Sequence, residues 1–273
     1  MVTQEQRKRQ LAREKFLRQQ QRRTSARRKA RMRNSVIASV LGVIVIGSVA
    51  LYTTGALKDN DDKSNASADV TPSASATSKA PDPCEKAAAG KIKTETWKKE
   101  PAVTIDKSAK YTMKLATTCG DIDIALKTSA APHTVNSFNF LASKGFFDHT
   151  KCHRLTTSGI YVLQCGDPTG AGSGGPGYTI PDENLKDTSL KGGIYPAGTI
   201  AMANTGQKHT GGSQFFLVYK DSTLPASYTP FGTISASGMK VLNKIAAAGE
   251  STGAGDGAPN ATVVINKATV TKS

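Results

Sequence analysis

Four histidines, four cysteines, one serine set between glycine and glutamine, and one glycine-rich run are the residues of this 273-residue chain whose types suit chemistry. His133, His149, His153 and His209 show no zinc-ligand spacing with one another or with the cysteines, so no metal is expected. Gly170, Gly172 and Gly175 satisfy G-x-G-x-x-G. Pro176 and Gly177 follow, however, where a dinucleotide fingerprint needs a helix N-terminus to hold pyrophosphate. Ser213, in Gly-Gly-Ser-Gln-Phe, lacks the second glycine of a nucleophile elbow, and no His and Asp spacing supplies a triad. Neither a cofactor nor a covalent nucleophile is expected. Arg154, taken alone, reads as half of a surface salt bridge.

The cysteines are too few for a disulfide scaffold, but disulfides persist outside the cytoplasm. Cys84, Cys119, Cys152 and Cys165 allow three pairings. Cys152 and Cys165 flank a short strand-turn-strand passage, which makes their bridge the first choice and leaves Cys84 for Cys119. On the chain-entropy model the two closures contribute roughly 3 and 4 kcal/mol.

The elements that must position these groups begin at Tyr111. Tyr111, Met113 and Leu115 alternate with polar residues, Cys119-Gly120 breaks the run, and Ile122, Ile124 and Leu126 alternate again, the pattern of a β-hairpin. Pro132 opens a helical stretch with Val135, Phe138, Leu141 and Ala142 on one face, closed by Gly145. Further strand-like runs are 160–165, 199–203, 214–219, 231–234 and 262–270. A second helix from about Met239 to Ala248 puts Met239, Leu242 and Ala246 on one face. Many short strands and two helices predict a mainly β domain, a closed antiparallel barrel capped by the helices.

Ahead of this domain the chain changes character. The net charge of +15 at first suggests a nucleic-acid binder, but residues 1–33 hold 13 of the 36 Lys+Arg and 2 of the 21 Asp+Glu. The tail therefore carries +11 and the rest 23 minus 19, or +4, with no basic surface interleaved with aromatics, so no nucleic-acid partner is expected. Val36 to Leu57 are 22 residues without a charge, about 33 Å as a helix and enough to cross a bilayer core of about 30 Å. The basic residues before it and Lys58, Asp59, Asp61 and Asp62 after it place the N-terminus in the cytoplasm. The expected organisation is a basic cytoplasmic arm (1–34), a single transmembrane helix (35–57), a flexible extracytoplasmic linker (58–110) and a folded domain (111–273). Residues 58–83 lack any aromatic, Leu or Ile and cannot bury enough surface to fold. From Cys84 to Lys110 the only large apolar anchor is Trp97.

Four runs then stand in order: Cys152-His153-Arg154-Leu155, the stretch Ile160-Tyr161-Val162-Leu163-Gln164-Cys165-Gly166-Asp167, Ala201-Met202-Ala203-Asn204, and Gly212-Ser213-Gln214-Phe215-Phe216. With the Thr134-Val135-Asn136-Ser137-Phe138 helix and the Phe231-Gly232 pair, this ordered set from Tyr111 to Thr271 resembles the cyclophilin family of peptidyl-prolyl isomerases. Anchor, tether and cysteines resemble the membrane-attached cyclophilins of Gram-positive bacteria. The resemblance implies a closed eight-stranded antiparallel barrel capped by two helices. It also implies a monomeric isomerase, without cofactor, acting on Xaa-Pro bonds of exported proteins outside the membrane. The alternative is a cyclophilin-like binding or chaperone module with little catalysis.

Residue by residue, Arg154 is similar to the family's essential arginine. Tyr161, Val162, Phe216 and Leu224 are implied to line the proline pocket. Gln164 would position substrate and Arg154, Ala203 and Asn204 would hold the backbone preceding proline, and Gln214 and Tyr228 would complete the binding set. For Tyr161, Val162 and Phe216, alternation alone equally predicts barrel core. The chain departs from the pattern with Tyr161 for Phe, Val162 for Met, Thr223 for a rim Trp, Tyr228 for His, and extra residues from Thr156 to Gly159. Cyclosporin is implied to bind only weakly, because Thr223 offers neither the aromatic contact nor the indole donor of the Trp.

Overall fold

A computed structural model describes residues 81–272. The predicted arm, transmembrane helix and first part of the linker lie outside them. Among the described residues no helix is long and apolar enough to cross a membrane.

In chain order the elements are β1 (Tyr111–Thr117), β2 (Gly120–Leu126), α1 (Pro132–Ser143), β3 (Thr150–Lys151), β4 (Arg154–Thr156), β5 (Val162–Cys165), β6 (Ile194–Tyr195), β7 (Thr199–Met202), β8 (Phe215–Val218), β9 (Ser222–Thr223), β10 (Pro230–Ile234), α2 (Ala236–Ala247), β11 (Asp256–Gly257) and β12 (Val264–Lys272). The hairpin is as predicted. Tyr111 pairs Leu126 and Thr117 pairs Gly120, around the two-residue turn Thr118-Cys119, and Gly120 leaves the turn at φ 126°. Its alternation sends Met113, Leu115, Ile122 and Ile124 into the core. α1 starts on Pro132, and Phe138 on its buried face meets Phe147, Phe215 and Phe231 at ring distances of 5.2, 5.6 and 4.6 Å.

α2 begins one turn earlier than expected, because Ser235 caps it by accepting from Gly238 N–H at 3.1 Å. Its inward line is Gly238, Leu242 and Ile245, with Met239 and Ala246 half-buried at the margin. Gly238 allows the helix to lie close on the sheet, where a Cβ would stand 2.9 Å from the Ile234 side chain.

Ten strands form one antiparallel sheet in the order β11-β4-β5-β8-β7-β10-β2-β1-β12-β3, while β6 and β9 pair separately. The expected mainly β fold with two helices is present: the sheet curls round the core, and its ladders run from β11 to β3 with none between those two strands. The reason is local. The segment 150–156 is interrupted at Cys152 and His153, whose N–H groups donate to Val263 O (3.0 Å) and Gln164 O (3.1 Å). One segment thus supplies two short strands, β3 against β12 and β4 against β5. The disulfides are Cys152–Cys165 and Cys84–Cys119.

Residues 81–110, assigned from sequence to the linker, carry no helix or strand yet are fastened along the domain as a strap. Glu85 N–H donates to Thr118 O, Ala88 N–H to Asn266 Oδ1 and Lys93 Nζ to Lys144 O. Asn136 holds the far end, accepting from Thr104 N–H and donating to Pro101 O and Ala102 O. The folded unit therefore begins ahead of Tyr111.

Candidate active site

The pairing registers place Arg154 opposite Gln164, Gln164 opposite Phe216 and Phe216 opposite Ala201, one transverse row across β4, β5, β8 and β7. The next row, Leu155, Leu163, Leu217 and Ile200, points to the other face and fills the main core. Period-two alternation thus separates the two sides of the sheet. On the site side Val162, Tyr195, Ala201, Phe216 and Val218 form a second apolar cluster, flanked by the partly buried Ile160, Ala203, Leu224 and Tyr228.

Arg154 stands at the edge of this cluster, its side chain 38% exposed. Asp256 on β11 takes it bidentately, Nε to Oδ1 and Nη2 to Oδ2, both at 2.7 Å. Nη1 donates to Gln164 Oε1 at 3.2 Å. The Asp256 hydrogen bond is the main reason the guanidinium is held still further toward its charged form, and it pulls the Asp256 carboxyl below the usual carboxylate range. The polar row continues, with Gln164 Nε2 donating to Gln214 Oε1 (2.9 Å) and Gln214 Nε2 to Gly174 O (2.9 Å). Sequence reasoning missed Asp256, which lies 102 positions from its partner in a Gly-Asp-Gly turn that reads only as a loop.

Of the expected pocket residues, the structure brings together Val162, Phe216, Leu224 and Tyr228, with Tyr228 edge-on to Phe216 at 5.4 Å. Tyr161 is not among them. Its ring lies against Tyr219 at 5.8 Å and under the Lys220 ammonium at 4.5 Å. Tyr161 precedes β5, whose first residue Val162 lies in the slot's cluster, and Ile160 packs against that cluster. Tyr195, also missed, is fully buried beneath the slot. Its hydroxyl donates to Tyr228 O at 2.8 Å and accepts from Tyr228 N–H, and burial pushes its pKa up to about 12. Asn204 Nδ2 donates to Ser227 O, and Ala203 N–H to Gln214 O.

The glycine-rich run turns about a side chain instead of a phosphate. The buried Asp167 carboxylate accepts from Thr169 N–H and Oγ1, Gly172 N–H and Ser173 N–H. Burial pushes its pKa up, but these hydrogen bonds outweigh it and the net direction is down. No helix follows Gly175. The loop forms one side of a groove of about 870 Å3 that also reaches Gln164, Ala203, Asn204 and Gln214. Next to Arg154, the imidazole of His153 has neither ring nitrogen hydrogen-bonded, and burial lowers its pKa.

A curled antiparallel sheet with two helices, bearing an arginine and two glutamines in a row beside an apolar slot, is the cyclophilin arrangement. The chain belongs to that family: the family model described as "Cyclophilin type peptidyl-prolyl cis-trans isomerase/CLD" matches residues 112–270. It is 46% identical over 195 residues to "Probable peptidyl-prolyl cis-trans isomerase B" of Mycobacterium leprae, covering 68% of this chain and 62% of that protein. It is 50% identical over 165 residues to the protein of the same name from Mycobacterium tuberculosis, covering 58% and 53%. To "Peptidyl-prolyl cis-trans isomerase" of Helicobacter pylori it is 39% identical over 156 residues, 56% of this chain and 88% of that protein. The chain thus spans only about half to three-fifths of the length of the mycobacterial relatives.

Proposed function

We propose that this chain is a peptidyl-prolyl cis-trans isomerase acting as a monomer on proline-containing segments of exported proteins, outside the cytoplasmic membrane. The observation that carries the reading is the Arg154 guanidinium fixed by Asp256 and Gln164 at the rim of the Val162, Phe216, Leu224 and Tyr228 slot. An Xaa-Pro bond favours trans by only about 0.5–1 kcal/mol but turns over an amide barrier of about 18–20 kcal/mol. Twisting the bond breaks its resonance and returns the lone pair to the prolyl nitrogen. A donor placed there stabilises the twisted state without nucleophile, metal or proton relay. Three of the five guanidinium N–H groups are used by Asp256 and Gln164, which leaves two for substrate. The slot takes the ring, and Ala203 and Asn204 take the backbone before it.

One charged hydrogen bond of about 1.5–3 kcal/mol corresponds to about 10- to 150-fold in rate. The full chain and its Arg154→Ala variant, assayed on an Xaa-Pro peptide, should therefore differ by about 10- to 150-fold in exchange rate. Peptide affinity and the circular dichroism spectrum should stay close to wild type. A wild-type chain that binds the peptide without speeding its exchange would instead be a binding module. Placement outside the membrane is supported by the uncharged run 36–57 behind a basic arm, and by two disulfides, which suit an oxidising compartment. Cyclosporin binding is weak on this reading, since the exposed Thr223 stands where the family's rim Trp would.

A further inference from the structure

The groove beside the proline slot has two walls of different origin. One is Gln164, Gln214, Ala203 and Asn204, and the other includes Lys98, Lys99 and Glu100 of the strap. The strap is fixed just before the lysines. Trp97 N–H donates to Pro176 O at 2.8 Å, and its ring meets Phe140 and Phe146 at 5.0 and 6.0 Å. Gly177 permits that approach, for a Cβ there would lie 2.8 Å from Trp97 O. Both lysines are exposed, and neither joins an ion pair among the described residues. Glu100, the only acid lining the groove, is already taken by His133 Nδ1 at 2.7 Å. Two exposed lysines without an ion-pair partner among the described residues therefore line the groove, together with Ala203 and Asn204 at the edge of the slot.

We infer that Lys98 and Lys99 form a subsite for acidic side chains in the substrate segment preceding proline, so that the chain prefers Asp- or Glu-bearing segments upstream of the Xaa-Pro bond. This rests on the proposed isomerase reading and adds a substrate class to it. The lysines lie ahead of residues 112–270, so the subsite is contributed by the strap and not by the family domain. Exposed ion pairs are individually weak and screened by salt, which sets the size of the effect.

The test uses the full chain and peptides of one sequence carrying Glu, Ala or Lys two and three positions before proline, with a control carrying Glu after it. Exchange rates and peptide affinities are measured for wild type and for Lys98→Glu/Lys99→Glu. Wild type should favour the Glu peptide over the Lys peptide by about three- to tenfold. That ratio should shrink at about 0.5 M salt, reverse in the double variant, and be absent for Glu placed after proline. Equal handling of the Glu and Lys peptides, or the same order in the double variant, overturns the subsite. If wild type does not accelerate exchange at all, the isomerase reading fails separately. The affinities then decide: a Glu preference lost in the double variant upholds the subsite, and an unaltered order of binding overturns it.

Discussion

Arg154 is held by Asp256, a residue outside the apolar cluster of the slot. The Arg154 and Asp256 side chains are 38% and 54% exposed, so solvent screens the pair and it adds under about 1 kcal/mol to stability. Its effect is geometric, because two parallel hydrogen bonds fix the plane of the guanidinium. Asp256→Asn should therefore lower kcat by about tenfold while KM and the melting temperature stay near wild type; a loss of stability with kcat unchanged would make the pair merely structural. Titration gives a second prediction. The depressed Asp256 pKa means that the clamp is intact above the ordinary carboxylate value and is lost as pH falls through the folded one. His153, lowered by burial, is neutral at and above pH 7, and Arg154 stays charged. A plot of kcat/KM should be flat from about pH 7 to 9, and a histidine-like step in that range would contradict it. Arg154, Gln164 and Phe216 were legible in the sequence because local motifs carry them. The place of Tyr161, against Tyr219 and Lys220, was not legible, because extra residues after Arg154 left open where β5 begins, and the pairing of Val162 with Val218 fixes that start.

At the scale of elements, the longer strands and both helices were legible because each holds several turns of its own periodicity. The hairpin of β1 and β2 needed only alternation and a glycine. β3, β6, β9 and β11 have two residues each, too few to show a period, and they are defined only by their partners. The same holds for the interruption that divides β3 from β4. Cys152 lies in that interruption, and Cys165 ends β5, one residue after Gln164. The Cys152–Cys165 bridge thus encloses the pair of strands that sets Arg154 against Gln164. Replacing both cysteines with serine should cost about 3 kcal/mol on the loop-entropy model, or about 6–12 °C in melting temperature for a domain of this size. It should also lower isomerase activity by loosening the Arg154 and Gln164 register. Melting and exchange measured on the oxidised chain and the double variant check both parts, and an unchanged melting temperature would show that pairing and packing alone hold these strands.

At the scale of the molecule, a charge and an apolar run divide the chain more sharply than any motif does. Residues 1–33 carry +11, Val36 to Leu57 carry nothing, and the remaining residues are close to neutral for their length. The strap then joins this front part to the domain, held by Cys84–Cys119 at one end and by Asn136 at the other. Its role was only partly legible, since Trp97 and Cys84 stood out while the surrounding polar residues read as solvated linker. Positive charge retained on the cytoplasmic side would put the strap, both disulfides and the site on the far side of the bilayer. Protease added to intact cells stripped of their wall should therefore degrade the 81–272 unit while sparing the basic arm. On that placement thiol reagents should label none of the four cysteines before reduction, because both bridges would then form where no glutathione pool reduces them. A domain protected from protease, with reactive thiols at Cys152 and Cys165, would place the site in the cytoplasm. In that case exported chains emerging unfolded on the outer face would be beyond its reach.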